Sequence, residues 1–140
     1  MDSYINKLKN ETPISSQIYF SRLLDGSMSF ELFKSSQANF YSAVCYFSRP
    51  MFSLCSKIDN YEDRLIILEN IIDEHGNGNI KDSHGETYKK YLLNLGVNKK
   101  DINKTFNHSA VSNFYSIIDK TVEGNNIETS IAMFGIMEDR

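Results

Sequence analysis

Apolar side chains recur every three to four positions through most of the chain, and no stretch sustains the every-second-residue alternation of a strand. The pattern predicts an all-α protein. Pro13 opens a first helix that runs to about Leu24 and stops at Asp25-Gly26. Ser29 caps a long second helix, Phe30 to about Ile58, which Pro50 should kink or divide. Asn60 caps the next helix, which carries Glu74 and ends at Gly76; Gly76-Asn77-Gly78-Asn79 reads as a loop. Ser83 and Glu86 have the spacing of a capping box, which puts His84 in the first turn of a helix stopping at Gly96. A polar connection leads to a helix from about Ala110 to Val122, ended by Gly124, and Asn126 caps the last one. With no repeat, low-complexity tract or linker, residues 1–140 read as a single helical domain, large enough for a core.

Three of these helices carry an ionisable or imidazole side chain where the apolar stripe should continue. Between Tyr61 and His75 the ridge runs Ile67, Ile71, Glu74, with Glu62, Glu69 and Asp73 on the opposite side. The following helix has His84, Tyr88, Tyr91, Leu95, and the last has Ile127, Ile131, Phe134, Glu138. Taken singly, each has an ordinary explanation: a hydrogen-bonded core histidine, or a carboxylate near a helix end that reaches water. A carboxylate on a core-facing ridge must otherwise be neutralised, paired or bound to a cation. Glu74, His84 and Glu138 together therefore predict a metal site assembled from facing helices. His75, next to Glu74, competes for the ligand role, but its position in the last turn suits a cation facing the helix C-terminus, and His108 belongs to a loop or helix start.

Composition is that of a globular protein, 41% hydrophobic, 24% charged and 12% aromatic, and neither charge sign clusters. With a net charge of −3 and no basic patch, nothing suggests nucleic acid or an anionic membrane surface, and neither is expected as a partner. No apolar run approaches the roughly 20 residues that cross a bilayer. The start, Met-Asp-Ser-Tyr, lacks the features of a signal peptide, so a cytoplasmic protein is expected. Cys45 and Cys55, ten residues apart on one predicted helix, would stand about 15 Å apart, too far for a disulfide unless the helix breaks. They read as reduced core thiols, and no histidine nearby in sequence suggests a cysteine nucleophile.

The run Asn70-Ile71-Ile72-Asp73-Glu74-His75-Gly76, then His84, then Tyr88-Lys89-Lys90-Tyr91-Leu92-Leu93-Asn94-Leu95-Gly96, resembles the haem-oxygenase-like diiron oxidases, the iron-containing redox enzymes. Tyr19-Phe20 through Asp25-Gly26, Phe33 and Phe40-Tyr41 are similar to that family's first helices, and Ile131-Ala132-Met133-Phe134-Gly135-Ile136-Met137-Glu138 to its next ligand helix. The resemblance implies a seven-helix bundle holding two irons through a Glu, a His and a second Glu, then a His, an Asp and a His on a later helix. Glu74, His84 and Glu138 match the first three. The later three have no counterpart in the sequence, so the expectation is a bundle truncated before its last ligand-bearing helix, holding at most one iron. Relatives act on fatty acids, on nitrogen in amino-acid-derived substrates, or on their own tyrosine. Phe20, with Tyr19 beside it, occupies the place of that tyrosine. Arg49, preceding Pro50, is a candidate partner for a substrate carboxylate, against the commoner reading of a surface ion pair.

The function so implied is a non-haem iron oxidase or oxygenase that activates O2 on a small organic substrate, its metal site incomplete in this chain. The site would be completed by a homodimer or by a complementing C-terminal segment. A non-catalytic truncated paralogue, kept as a helical binding or assembly module, is the alternative. A metal-free oxidase or thiaminase-like hydrolase would need a reactive cysteine or a basic pocket, and neither is evident.

Overall fold

A computed structural model describes residues 7, 10, 11, 13–102, 109–124 and 126–138, without the side chains of Ile14 and Glu138. Among these residues there is no strand, as the periodicity requires. A 3-10 turn, Ile14–Ser16, precedes α1 (Ile18–Leu24), α2 (Phe30–Tyr46), α3 (Ser48–Cys55) and α4 (Tyr61–Glu74). Two further 3-10 turns, Gly76–Gly78 and Ile80–Asp82, lead into α5 (His84–Asn94), α6 (Lys99–Ile102), α7 (Ser109–Glu123) and α8 (Ile127–Glu138). The chain forms two compact units that divide after Phe33. In the first, α1 has no buried residue. The second holds the candidate site. His108 lies outside the described residues. No helix among the described residues is long and apolar enough to cross a membrane.

The helix starts follow the capping residues. Asn60 accepts a hydrogen bond from the Glu62 amide at 2.9 Å, Asn126 from Thr129 at 2.8 Å, and Ser29 from Leu32 at 3.2 Å. Ser83 accepts from the Glu86 amide at 3.4 Å, but the Glu86 carboxylate pairs with Lys89 at 2.8 Å, so only half of the capping box is shown. Replacing Asn60 by Ala should cost about 1 kcal/mol of stability in a thermal melt, because its side-chain oxygen satisfies an otherwise orphaned amide.

Pro50 divides the long helix as its chemistry demands, with the break three residues upstream at Phe47. A proline has no N–H for the carbonyl four residues earlier, which is that of Tyr46, the last residue of α2. The predicted first helix likewise breaks into a 3-10 turn and α1, and the loop after Gly76 is partly organised as 3-10 turns. The polar connection contains the short α6, whose Ile102 is fully buried.

Two apolar clusters hold the second unit together. The larger joins Met51, Leu54, Cys55 and Ile58 to Ile71 of α4, Ile118 and Val122 of α7 and Phe134 of α8. The smaller packs Ala38 and Tyr41 of α2 on Leu92, Val97 and Ile102. Lys57 fastens the end of α7 by donating to the carbonyls of Val122 and Glu123, the latter at 3.1 Å. The α4 ridge is as read: Ile71 is buried and Ile67 half-buried, while Glu62, Glu69 and Asp73 are exposed. On α5 the ridge is displaced, with Leu92 buried and Tyr91 exposed. On α8 Ser130 and Phe134 are buried and Ile131 is exposed, so the core-facing line is one residue away from the predicted one at its start.

Candidate metal centre

Glu74 is the last residue of α4 and His84 the first of α5, and the nine residues between them turn the chain back on itself. Gly76 makes that return tight. Its φ of +63° is in the left-handed region, and a Cβ there would lie 2.4 Å from the Ser83 amide nitrogen and 2.5 Å from the Asp82 carbonyl carbon. Glycine alone allows the end of α4 to touch the cap of α5, and this contact brings the two side chains together.

His84 Nδ1 lies 2.7 Å from Glu74 Oε1. The carboxylate side chain is only 9% exposed, whereas the imidazole is 38% exposed. The other ring nitrogen, Nε2, is 3.5 Å from Asp73 Oδ2, on an exposed side chain. Asp73 lies on the solvated side of α4, as its spacing predicts, yet His84 sits at the helix end where it reaches both acids. Periodicity along one helix carries no information about that cross-helix approach. His75 is exposed and absent from the wall that Glu74 and His84 share, its Nδ1 2.8 Å from the Ile71 carbonyl and its ring edge-on to Phe52.

The pair forms the polar part of an apolar cavity of about 220 Å³, walled by Phe40, Ala43, Val44 and Phe47 of α2 and the following turn, Phe114 of α7 and Met137 of α8. Glu138 follows Met137 at the end of α8, but its side chain lies outside the described residues. Met137 on the wall brings that end of α8 to the cavity. Among the described residues no three His, Cys, Asp or Glu groups are gathered as a metal cluster. A carboxylate and an imidazole facing each other at the wall of an apolar cavity suit iron in donor type.

Close packing of α2 against α5 supports this geometry. A Cβ at Gly85 would meet Cys45 Sγ at 3.3 Å, so the helix start beside His84 rests on the Cys45 thiol. Burial pushes that thiol's pKa up, and the neighbouring Glu86 carboxylate adds to the rise. Both cysteines are free thiols. Slow alkylation of Cys45 at pH 8, relative to a free cysteine, is the expected outcome, read by mass spectrometry after timed labelling.

Arg49 is exposed and absent from the cavity wall; its guanidinium lies 5.4 Å from the centroid of the Tyr46 ring. The Tyr46 hydroxyl donates to Asp119 Oδ2 on α7. Burial and this hydrogen bond push the Tyr46 phenol up to about 12. Nothing in one-dimensional spacing pairs residues 46 and 119.

A family profile described as iron-containing redox enzyme matches residues 36–138, and the chain belongs to that family. Comparisons with curated proteins and with solved structures gave no match.

Proposed function

We propose that the chain is an iron-dependent oxidase or oxygenase acting with O2 on a small, largely apolar organic molecule. The observation that carries this reading is the nearly buried Glu74 carboxylate facing the His84 imidazole in an apolar cavity. Glu74 and His84 would hold the iron, with Glu138 as third ligand, and bound iron would supply the reduction of dioxygen. The chain's own contribution is an apolar wall. Phe40, Val44, Phe47, Phe114 and Met137 offer surface that an apolar body would cover, at about 25 cal/mol per Å² of apolar surface buried. At about 220 Å³ the cavity lies below the usual range for drug-sized ligands, which favours a small substrate.

Three candidate ligands serve one ion, and the two-iron site of the resembled family needs more. Exposed apolar side chains on α4 (Leu65, Ile66, Ile72) and α8 (Ile131, Ile136) support a further helix, from a second copy or a complementing segment, as the source of additional ligands. Anaerobic Fe(II) titration followed by O2 exposure tests the reading. Binding of about one iron per chain and an absorbance change on oxygenation are expected. Two irons per chain in a monomer would require ligands other than these three.

A non-catalytic helical binding module is the second reading, favoured by the direct 2.7 Å contact of Glu74 with His84, in which each group partners the other without a metal. Under that reading Glu74 and His84 are an ion pair joining α4 to α5, and the titration shows no saturable iron binding.

A further inference from the structure

The chain has 8 tyrosines and no tryptophan, so tyrosine is its most readily oxidised aromatic side chain. Tyr46 makes three contacts that bear on its oxidation. Its ring stacks on Tyr115 of α7, with centroids 3.9 Å apart and planes within 19°. Its hydroxyl donates to the Asp119 carboxylate, one helical turn beyond Tyr115. The Arg49 guanidinium stands over the ring. Tyr88 and Tyr91, by contrast, donate to the Gln37 amide oxygen, and Tyr61 reaches Glu62 at 3.3 Å from an exposed position.

Aromatic side chains also connect this cluster to the cavity. Phe114 is on the wall with Glu74 and His84, and its ring centroid is 6.3 Å from that of Tyr115. Phe47, the neighbour of Tyr46 in sequence, is on the same wall. The Tyr115 hydroxyl is buried without a hydrogen-bond partner, although Ser42 lies near enough to offset part of the rise that burial gives its pKa. Tyr115 therefore lacks a base to take its proton, and Tyr46 has one.

We propose that Tyr46 is a redox-active tyrosine that gives one electron, through Tyr115 and Phe114, to a one-electron oxidant derived from O2 in the Glu74–His84 cavity, while its phenolic proton passes to Asp119. The Tyr46 O–H bond breaks, an O–H bond forms on Asp119 Oδ2, the oxidant is reduced by one electron, and a neutral phenoxyl radical remains. A small external thiol or ascorbate-type reductant returns the electron, and the proton moves back from Asp119. Arg49 favours the coupling, because a cation over the ring opposes accumulation of positive charge there. The origin of the oxidant rests on the iron reading above; the oxidisability of Tyr46 does not.

The test uses metal-free protein oxidised by photogenerated tris(bipyridine)ruthenium(III) with persulfate as electron sink, followed by freeze-quench electron paramagnetic resonance and peptide mass spectrometry. A tyrosyl radical assigned to Tyr46 is expected, reduced severalfold in Tyr46→Phe and decaying severalfold faster in Asp119→Asn, which keeps a partner but not a carboxylate base. Tyr61→Phe, which removes an exposed tyrosine, should leave the signal unchanged. Circular dichroism of each variant reports folding, and Asp119→Asn decides the matter should Tyr46→Phe fail to fold. A wild-type radical signal in Tyr46→Phe, or an unchanged lifetime in Asp119→Asn, overturns the proposal and leaves Tyr46–Asp119 as a clamp between α2 and α7. A second arm exposes iron-loaded protein to O2: a Tyr46 radical under ruthenium but none here removes the iron source and leaves the tyrosine's oxidisability standing.

Discussion

Replacing Gly76 by Ala should lower stability by about 4 kcal/mol or more, a loss large enough to indicate a single strained position. Two costs combine. The left-handed conformation, φ +63°, costs an L residue roughly 1–2 kcal/mol. The added methyl would then stand 2.4 Å and 2.5 Å from backbone atoms of Ser83 and Asp82, which cannot swing aside as the tip of a side chain can. Either the Gly76–Gly78 turn opens or the start of α5 moves, and His84 moves with it. Gly78 is the internal control: its φ of +85° carries the same conformational cost, but a Cβ there meets nothing within 4 Å. Thermal melts of Gly76→Ala and Gly78→Ala should differ by roughly 5–15 °C. Equal melting temperatures would mean that the close approach of Gly76 to α5 does not constrain the fold.

Loss of either His84 or Glu74 should abolish saturable iron binding, a larger effect than the roughly 10–100-fold that follows removal of an outer-shell partner. The two metal-free variants should differ in stability. His84→Ala takes a partner from a carboxylate that is 9% exposed, and this should cost about 1–3 kcal/mol. Glu74→Ala takes a partner from a ring that is 38% exposed and can turn to water, so the expected cost is under about 1 kcal/mol. Calorimetric titration with Fe(II), together with melts of the metal-free proteins, reads both quantities. Iron affinity unchanged in His84→Ala would remove this pair from the metal site, and the reverse order of stabilities would show that the carboxylate is less enclosed than the geometry indicates.

Helix capping was legible because it is local: an Asn or Ser oxygen finds an amide two or three residues away, whatever the rest of the chain does. Asn60, Ser83 and Asn126 behave accordingly. The position of Glu74 on the core-facing side of α4 was legible too, since one unbroken helix keeps its phase from Ile67 through Ile71. The phase was lost on α5 and α8, where half-apolar aromatic and small residues leave the stripe ambiguous; Leu92 and Ser130 are buried, whereas Tyr91 and Ile131 are exposed.

By itself the sequence determined the helical class, most helix starts and the interruption caused by Pro50, because these depend on backbone hydrogen bonding and short-range periodicity. Only the tertiary structure decided which groups meet. The 2.7 Å approach of Glu74 to His84 depends on a glycine return that closes against the cap of the next helix. The stacking of Tyr46 on Tyr115 and its hydrogen bond to Asp119 join positions some seventy residues apart, brought together by the packing of α2 on α7. Such contacts are set by the burial of whole helices, whose relative rotation no single helix's pattern specifies.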